Sequence, residues 1–172
     1  MRRSFLLITL AVLSIVPAPA QAKSDAASVI AKFKEKDSGM AKVFADAYGY
    51  AVFPTVGKGA IGIGGARGKG EVFEGGRLIG KSTLTQVTIG LQLGGQAYSE
   101  VILFKDKTAL DDFKRGNFEL NAQASAIALT ARASRDLAYN KGVAIVTMGK
   151  GGLMYEASVG GQKFTYKPVG GR

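Results

Sequence analysis

Residues 49–104 read GYAVFPTVGKGAIGIGGARGKGEVFEGGRLIGKSTLTQVTIGLQLGGQAYSEVILF, and this stretch decides the fold. Runs of β-branched and aromatic residues are interrupted at short intervals by Gly pairs and Gly-Lys-Gly units, which favour strands and turns over helix. From residue 85 to residue 93, Thr85, Val87, Ile89, Leu91 and Leu93 alternate with polar residues or glycines, which is the period of a strand. We predict a meander of strands in which one face is buried and the other is wet or meets a ligand.

The whole chain suits one folded unit. It has 172 residues, of which 47% are hydrophobic, so it can bury a core, and we predict a single domain over residues 23–172. The predicted class is α+β. We expect a curved, mostly antiparallel β-sheet, barrel-like if it closes, with an N-terminal amphipathic helix and one or two further short helices.

The first 22 residues have the pattern of a signal peptide. Arg2 and Arg3 precede an apolar run over residues 5–16 that is too short to span a bilayer, and Ala20-Gln21-Ala22 is a small-x-small cleavage sequence. We expect cleavage after Ala22 and a periplasmic or secreted product. The chain has no Cys, so we expect neither a cysteine-linked lipoprotein anchor nor disulfides.

The chain is basic, with 23 Lys and Arg against 13 Asp and Glu and a formal net charge of +10. An exported protein with this excess is predicted to meet anionic lipid head groups, acidic polysaccharide or an acidic protein rather than nucleic acid. The alternative is a solvated basic surface that keeps the protein in solution.

Residues 23–48 have apolar positions at nearly helical spacing, with lysines on the other faces. The apolar positions are Val29, Ile30, Phe33, Met40, Val43, Phe44 and Ala47. We predict one amphipathic helix, or two helices broken near residues 37–39, with a cap at Ser24 or Asp25. The apolar stripe either packs on the sheet or inserts into a membrane, and both alternatives use the same residues.

The chain after the meander is predicted to be mixed. Asp106 can cap a helix over residues 107–115, which Gly116 ends. Residues 117–129 alternate with period two and are predicted as a strand, and residues 130–139 as a short helical turn. Residues 143–167 repeat the order strand, Gly-Lys-Gly turn, strand found from residue 51, which suggests two related hairpins or a shared turn requirement.

Two glycine motifs resemble nucleotide-binding loops. Residues 75–82, GGRLIGKS, match the pattern G-x-x-x-x-G-K-[ST], but that mechanism needs a helix after the loop, and the β-branched residues 83–89 predict a strand. Residues 57–62 match G-x-G-x-x-G, but further glycines follow where a dinucleotide-binding helix would begin. We expect no nucleotide at either motif.

The chain has no His and no Cys, which excludes nucleophilic sites and zinc sites built from them. Carboxylates remain candidates for an acid/base pair or a hard-metal site, namely Glu100, Asp111, Asp112, Glu119 and Glu156. They form no convergent pattern in the sequence. We therefore predict no catalytic residue, no metal and no cofactor.

Several ordered segments together resemble the SYLF domain: GYAVFP (49–54), VGKG (56–59), TLTQ (83–86), IGLQLGGQAYSE (89–100) and GGLMYE (151–156). The resemblance extends over nearly all of residues 26–168. It implies a non-enzymatic module that binds membranes containing anionic lipids, phosphoinositides in the eukaryotic members, and in some members actin filaments. The family's lipid contact is attributed to an N-terminal amphipathic helix with nearby basic residues. In this chain the corresponding residues are the apolar Phe33 and the basic Lys32, Lys34 and Lys36.

We predict that basic residues of the meander join the helix in binding head groups; these are Lys58, Arg67, Lys69, Arg77 and Lys81. A protein-interaction or scaffold module that uses an open sheet edge or a glycine-rich face is the alternative, and an enzyme using carboxylates alone is a remote third. Basic side chains clustered beside exposed apolar residues would favour the membrane role. Scattered ones would favour the solvated surface.

Overall fold

The structure is a computed structural model that describes residues 24–59, 64–88, 96–116, 126–150 and 161–170. The helices in these residues are α1 (Asp25–Lys36), α2 (Met40–Asp46), α3 (Lys107–Lys114) and α4 (Ala133–Asp136). The strands are β1 (Gly49–Gly59), β2 (Gly64–Glu74), β3 (Arg77–Thr88), β4 (Gln96–Phe104), β5 (Ile127–Ala128), β6 (Val143–Lys150) and β7 (Gln162–Pro168). The predicted signal peptide lies outside the described residues.

The described strands form one sheet with the order β5-β6-β4-β1-β2-β3-β7. Neighbouring strands are antiparallel except for β5 and β6. Gly75 and Gly76 join β2 to β3, and their φ angles of 54° and 77° lie in the left-handed region that a two-residue hairpin turn requires. The predicted α+β class is confirmed. The predicted meander holds for β1, β2 and β3, which are successive neighbours, but it is wrong for β4, which lies beside β1 instead of β3, because local alternation does not determine which strands pair over long range.

The sheet carries a hydrophobic core on each face because successive residues of a strand point to opposite sides. In β1, Ala51 and Phe53 pack in one core with Leu110 and Phe113 of α3. Their neighbours Tyr50 and Val52 belong to a second core that includes Val29 and Phe33 of α1, together with residues of α2 and α4. We call these two sides the α3 face and the α1 face.

The sheet curls around its α3 face. β7 is four strands away from β4, which would be about 19 Å in a flat sheet. Nevertheless, the Gln162 side chain in β7 donates a hydrogen bond of 3.2 Å to the Tyr98 hydroxyl in β4. The rings of Phe53 in β1 and Phe164 in β7 lie 5.7 Å apart. The curvature predicted from the sequence is confirmed.

Polar side chains fix the ends of the first two helices. The Ser24 hydroxyl accepts a hydrogen bond from the Ala27 N–H and donates one to Glu71 in β2. The Asp37 carboxylate separates α1 from α2, because it accepts from the N–H of Gly39 at 2.9 Å and from the N–H of Ser134 in α4 at 2.7 Å. The predicted cap, the break and the later helical turn are confirmed.

The helix predicted after the meander is also present. The Asp106 carboxylate accepts from the Ala109 N–H at 2.9 Å and caps α3. Gly116 follows the helix with a φ of 74°, which a residue with a side chain rarely adopts. The cap and the terminator therefore act as the sequence predicts.

Other expectations about the second half are wrong or lie outside the described residues. In the predicted hairpin of residues 143–167, Gly149 and Lys150 continue strand β6 instead of starting a turn, and β6 and β7 are not neighbours in the sheet. The strand predicted directly after the turn falls in residues 151–160, which lie outside the described residues. Gly57-Lys58-Gly59 is the end of β1 rather than a turn. Of the strand predicted over residues 117–129, the structure describes β5 alone as strand, and residues 117–125 lie outside the described residues.

Candidate functional site

Basic and hydroxyl side chains form a regular array on strands β2, β3 and β7. Ala66, Leu84 and Phe164 pack in the core on the α3 face, so the residues on either side of them point to the α1 face. The strand register then places three rows side by side on the α1 face: Arg67, Thr85 and Lys163; Lys69, Thr83 and Thr165; and Glu71, Lys81 and Lys167. We call the five cations in these rows the basic sheet face; all five are exposed.

The described acidic residues neutralise little of the positive charge on the basic sheet face. The four ion pairs among these residues lie on α2 and α3. Glu71 is the one acid in the three rows, and its carboxylate accepts a hydrogen bond from Ser24. Arg67, Lys69, Lys81 and Lys167 therefore face solvent as cations that form no ion pair with any residue the structure describes.

Two exposed apolar side chains adjoin the third row. Leu78 is 43% exposed and Val169 is 39% exposed. Val169 donates its N–H to the carbonyl oxygen of Ile79, which brings the end of β7 alongside the start of β3. Clustered cations beside exposed apolar residues are the arrangement expected of a membrane-binding surface.

The lysines predicted on the N-terminal helix do not join this array. Lys32, Lys34 and Lys36 are exposed on α1. Lys34 lies over the ring of Phe44 at 5.6 Å, whereas Lys32 and Lys36, four residues apart, share another side of the helix. The helix touches β2 through Ser24, and Lys32 lies about 12 Å further along its axis.

Phe33 is buried and does not have the surface position that a lipid contact requires. Its side chain is fully enclosed in the core on the α1 face, with its ring 6.4 Å from that of Phe44 in an edge-on contact. The alternative in which the apolar stripe of the helix packs on the sheet therefore describes the structure.

The two other predicted basic residues lie elsewhere. Arg77 is exposed at the β2–β3 turn, opposite Glu74 and at the other end of the hairpin from Arg67. Lys58 belongs to β1, and its side chain lies outside the described part of the structure.

Sequence reasoning missed Lys163 and Lys167 of the basic sheet face, as well as Lys150 of β6, whose ammonium donates a hydrogen bond to Thr55 in β1. The signal for the first two is the alternation in QKFTYKP, which puts Lys163, Thr165 and Lys167 on one side of β7. Their positions beside Thr85 and Lys81 could not be read from the sequence, because they depend on the long-range pairing of β7 with β3.

The GGRLIGKS motif is a hairpin turn followed by a strand, as predicted. Lys81 and Ser82 lie inside β3, where Lys81 is exposed and Ser82 is buried. The two side chains that a phosphate-binding loop uses together therefore point to opposite faces of the sheet. In the same strand, Thr85 is exposed and Gln86 is buried.

The candidate carboxylates are dispersed in the described residues. Asp111 bonds to Lys107 and Lys114, and Asp112 pairs with Arg115, all on α3. The hydrogen bond from Lys107, followed by that from Lys114, lowers the pKa of Asp111 to about 2. The buried carboxylates, Asp37 and Glu100, belong to opposite faces of the sheet. Glu119 and Glu156 lie outside the described residues.

A polar group is buried where the curl brings β7 over β4. The Gln162 amide donates to the Glu100 carboxylate at 3.0 Å and to the Tyr98 hydroxyl at 3.2 Å. All three side chains are 0% exposed. Burial, followed by the nearby Glu100 charge, raises the pKa of Tyr98 well above its ordinary value. This group links the two halves of the curled sheet.

In the parts of the chain that the structure describes, no three His, Cys, Asp or Glu side chains are grouped as a metal site requires. None of the described helices combines the length and apolarity needed to cross a membrane.

Comparison with known proteins identifies relatives of this chain. Residues 85–168 match the family model described as Ysc84, Las17-binding protein actin regulator. The chain is 33% identical over 141 residues to Beta cell expansion factor A from Aeromonas veronii, and the alignment covers 80% of this chain and 52% of that protein. The chain thus spans about half the length of this curated relative.

Proposed function

We propose that the chain, which belongs to the SYLF (Ysc84) family, is a non-enzymatic module that binds anionic membrane surfaces through the basic sheet face. After export and cleavage behind Ala22, it acts in the periplasm or outside the cell. The observation that carries the proposal is the clustering of Arg67, Lys69, Lys81, Lys163 and Lys167 on one exposed surface beside Leu78 and Val169.

The geometry of the surface suits many weak contacts better than one deep contact. Adjacent strands are about 4.8 Å apart and alternate residues about 7 Å apart, so the cations can each meet a different head group. Each Lys or Arg near an anionic surface contributes about 1 kcal/mol, and five together support useful affinity. Leu78 and Val169 can add shallow apolar contacts at the edge of the array.

Vesicle sedimentation tests the proposal. We expect binding to anionic vesicles at low salt, weak binding to neutral vesicles, and loss of the difference at high salt, because screening shortens the range of the attraction. The variant Lys81→Glu/Lys167→Glu should bind anionic vesicles at least about tenfold more weakly, since it replaces two attractions by two repulsions.

The matched control is Lys105→Glu/Arg132→Glu, which makes the same charge change at exposed residues outside the basic sheet face. We expect its binding to fall much less. Equal losses in the two variants would show that net charge rather than this surface governs binding. Equal failure of the unaltered chain on anionic and neutral vesicles would reject the membrane role.

A protein partner is the second candidate, and the family description as a Las17-binding actin regulator supports it. An acidic protein could use the same cations. Addition of a partner strand at β7 is less suitable, because Lys163, Lys167 and Pro168 on an edge strand oppose such pairing. A partner recovered in pull-downs, together with no charge-dependent vesicle binding, would favour this candidate.

A further inference from the structure

A groove of about 410 Å³ lies between the start of α1 and strands β1 and β2. It is lined by Asp25, Pro54, Thr55, Arg67, Gly68 and Lys69. We call it the α1–β2 groove. Its volume lies in the range of sites that hold small molecules, about 300–1,000 Å³. Arg67 and Lys69 belong also to the basic sheet face, so the groove opens at the edge of that surface.

A bulge in β1 shapes one wall of the groove. The pairing of β1 with β2 shifts between Val52 and Thr55, and the carbonyl oxygen of Pro54 in this bulge accepts a hydrogen bond of 2.8 Å from the buried Ser99 hydroxyl. Bulges re-aim side chains and are common beside binding sites. Here the bulge presents Thr55, whose hydroxyl accepts a hydrogen bond from the Lys150 ammonium. Lys150 therefore stands at the rim as a third cation.

A second contact fixes the opposite wall. The Ser24 hydroxyl donates to Glu71 at 3.1 Å and so holds the start of α1 over β2. This places Asp25 in the lining of a groove whose other charged side chains are cations. Asp25 forms no ion pair with Arg67, Lys69 or any other residue that the structure describes. The groove is thus lined by charges of both signs that form no ion pair with one another.

We propose that the α1–β2 groove binds a phosphoethanolamine group, with the phosphate at Arg67, Lys69 and Lys150 and the primary ammonium at Asp25. An anion alone would leave the Asp25 carboxylate facing like charge, and a cation alone would meet the three basic residues. A ligand with both charges can pair with both the cations and the carboxylate. The inference rests on the proposed function in that the groove adds a selective site to the surface that meets head groups.

Titration of the full mature chain with O-phosphoethanolamine, inorganic phosphate and ethanolamine, followed by amide NMR shifts, tests the site. We expect shifts at Thr55 and Gly68 and a Kd for O-phosphoethanolamine at least about tenfold lower than for phosphate. Asp25→Asn should remove this tenfold preference and should leave phosphate binding unchanged or make it tighter, because a like charge is removed. Asp25→Glu should retain the preference. Arg67→Gln should weaken binding of both anions, whereas Lys105→Gln outside the groove should weaken neither.

Equal affinities for phosphate and O-phosphoethanolamine, or no shifts at Thr55 and Gly68, would overturn the proposal. Loss of the preference in Asp25→Glu as well as in Asp25→Asn would also overturn it, since it would assign Asp25 a structural part in the start of α1. An unchanged amide spectrum away from the groove shows that a variant is folded.

Vesicles distinguish the two sources of the group. Stronger binding to ethanolamine phospholipid than to choline phospholipid in a neutral vesicle supports the site with a lipid head group as its ligand. Binding of the soluble compound alone supports the site with a free ligand. The basic sheet face is tested separately by Lys81→Glu/Lys167→Glu on anionic vesicles, so either idea can fail while the other stands.

Discussion

At the scale of single residues, the side-chain amide of Gln162 joins two strands that are far apart in the sheet. It donates to Tyr98 and Glu100 across the curl, and Glu100 is a carboxylate with no exposure to solvent. A buried charge is costly unless hydrogen bonds stabilise it. The amide of Gln162 is therefore expected to matter more for folding than any exposed side chain of β7.

Gln162→Ala should lower the free energy of unfolding by about 2–4 kcal/mol, because it removes a donor from a buried carboxylate and leaves a cavity. Lys167→Ala in the same strand is the control, and it should change the free energy by less than about 0.5 kcal/mol. Urea denaturation measures both. Equal effects of the two substitutions would show that Gln162 does not stabilise the curl.

Asp37 predicts a dependence of stability on pH. The backbone N–H of Ser134 is the main cause that lowers the pKa of Asp37 below its ordinary value of 3.8. A lowered pKa in the folded state gives stability that is present above pH 3.8 and is lost as the pH falls through the folded value.

Asp37→Asn should therefore be less stable than the unaltered chain at neutral pH, and the difference should shrink between about pH 5 and pH 2. Thermal unfolding at a series of pH values measures it. A difference that stays constant over this range would mean that the Asp37 charge does not link α1 to α4.

At the scale of elements, the glycines of β2 permit the close approach of strands and side chains inside the curl. A Cβ atom on Gly70 would lie 2.6 Å from the Phe53 ring and 2.7 Å from the Val52 carbonyl oxygen. On Gly57 of β1, a Cβ atom would have no neighbour within 4 Å. The two glycines therefore have different reasons to be present.

Gly70→Ala is expected to lower the free energy of unfolding by about 1–3 kcal/mol, because Phe53 must move out of a packed core. Gly57→Ala, the matched control, should leave it unchanged or raise it by up to about 1 kcal/mol, since the unfolded chain loses freedom. Melting temperatures of the two variants provide the comparison. A larger loss for Gly57→Ala would contradict the assigned packing.

The sequence predicted individual elements better than their arrangement. Ser24, Asp106 and Gly116 mark helix ends through local hydrogen bonds and backbone angles, which a short window contains. The Gly75-Gly76 hairpin is equally local. The strand order was not predicted, since β4 lies beside β1 instead of β3, and local turn chemistry does not determine which strands pair.

The sequence predicted only part of the candidate site, because it indicates local pairing of strands better than long-range pairing. Arg67, Lys69 and Lys81 were identified and share a surface, because β2 and β3 form a local hairpin. Lys163 and Lys167 were missed, since only the long-range pairing of β7 with β3 brings them to it. The sequence left two positions open for Phe33, in the core of the protein or in a membrane. Phe33 packs in the core on the α1 face, and this packing depends on tertiary contacts that the sequence does not show.

At the scale of the whole molecule, the sheet separates its two faces by role. The α3 face encloses aromatic side chains and the buried, hydrogen-bonded side chains of Gln162, Tyr98 and Glu100. The α1 face carries helices over β1 and β4 and exposed cations over β2, β3 and β7. The basic sheet face is therefore supported from behind by a packed core. We expect it to meet a membrane as a preformed surface, without release of α1.

Spin labels in the presence of anionic vesicles show which side of the molecule lies on the membrane, and the chain has no Cys to interfere with single labelling. Thr165→Cys places a nitroxide at the exposed middle row of the basic sheet face, and Ala45→Cys places one on the exposed side of α2. We predict that vesicles shield the label at position 165 from a water-soluble nickel complex and leave the label at position 45 accessible. Shielding at position 45 with free access at position 165 would contradict the account and assign membrane contact to the helical side.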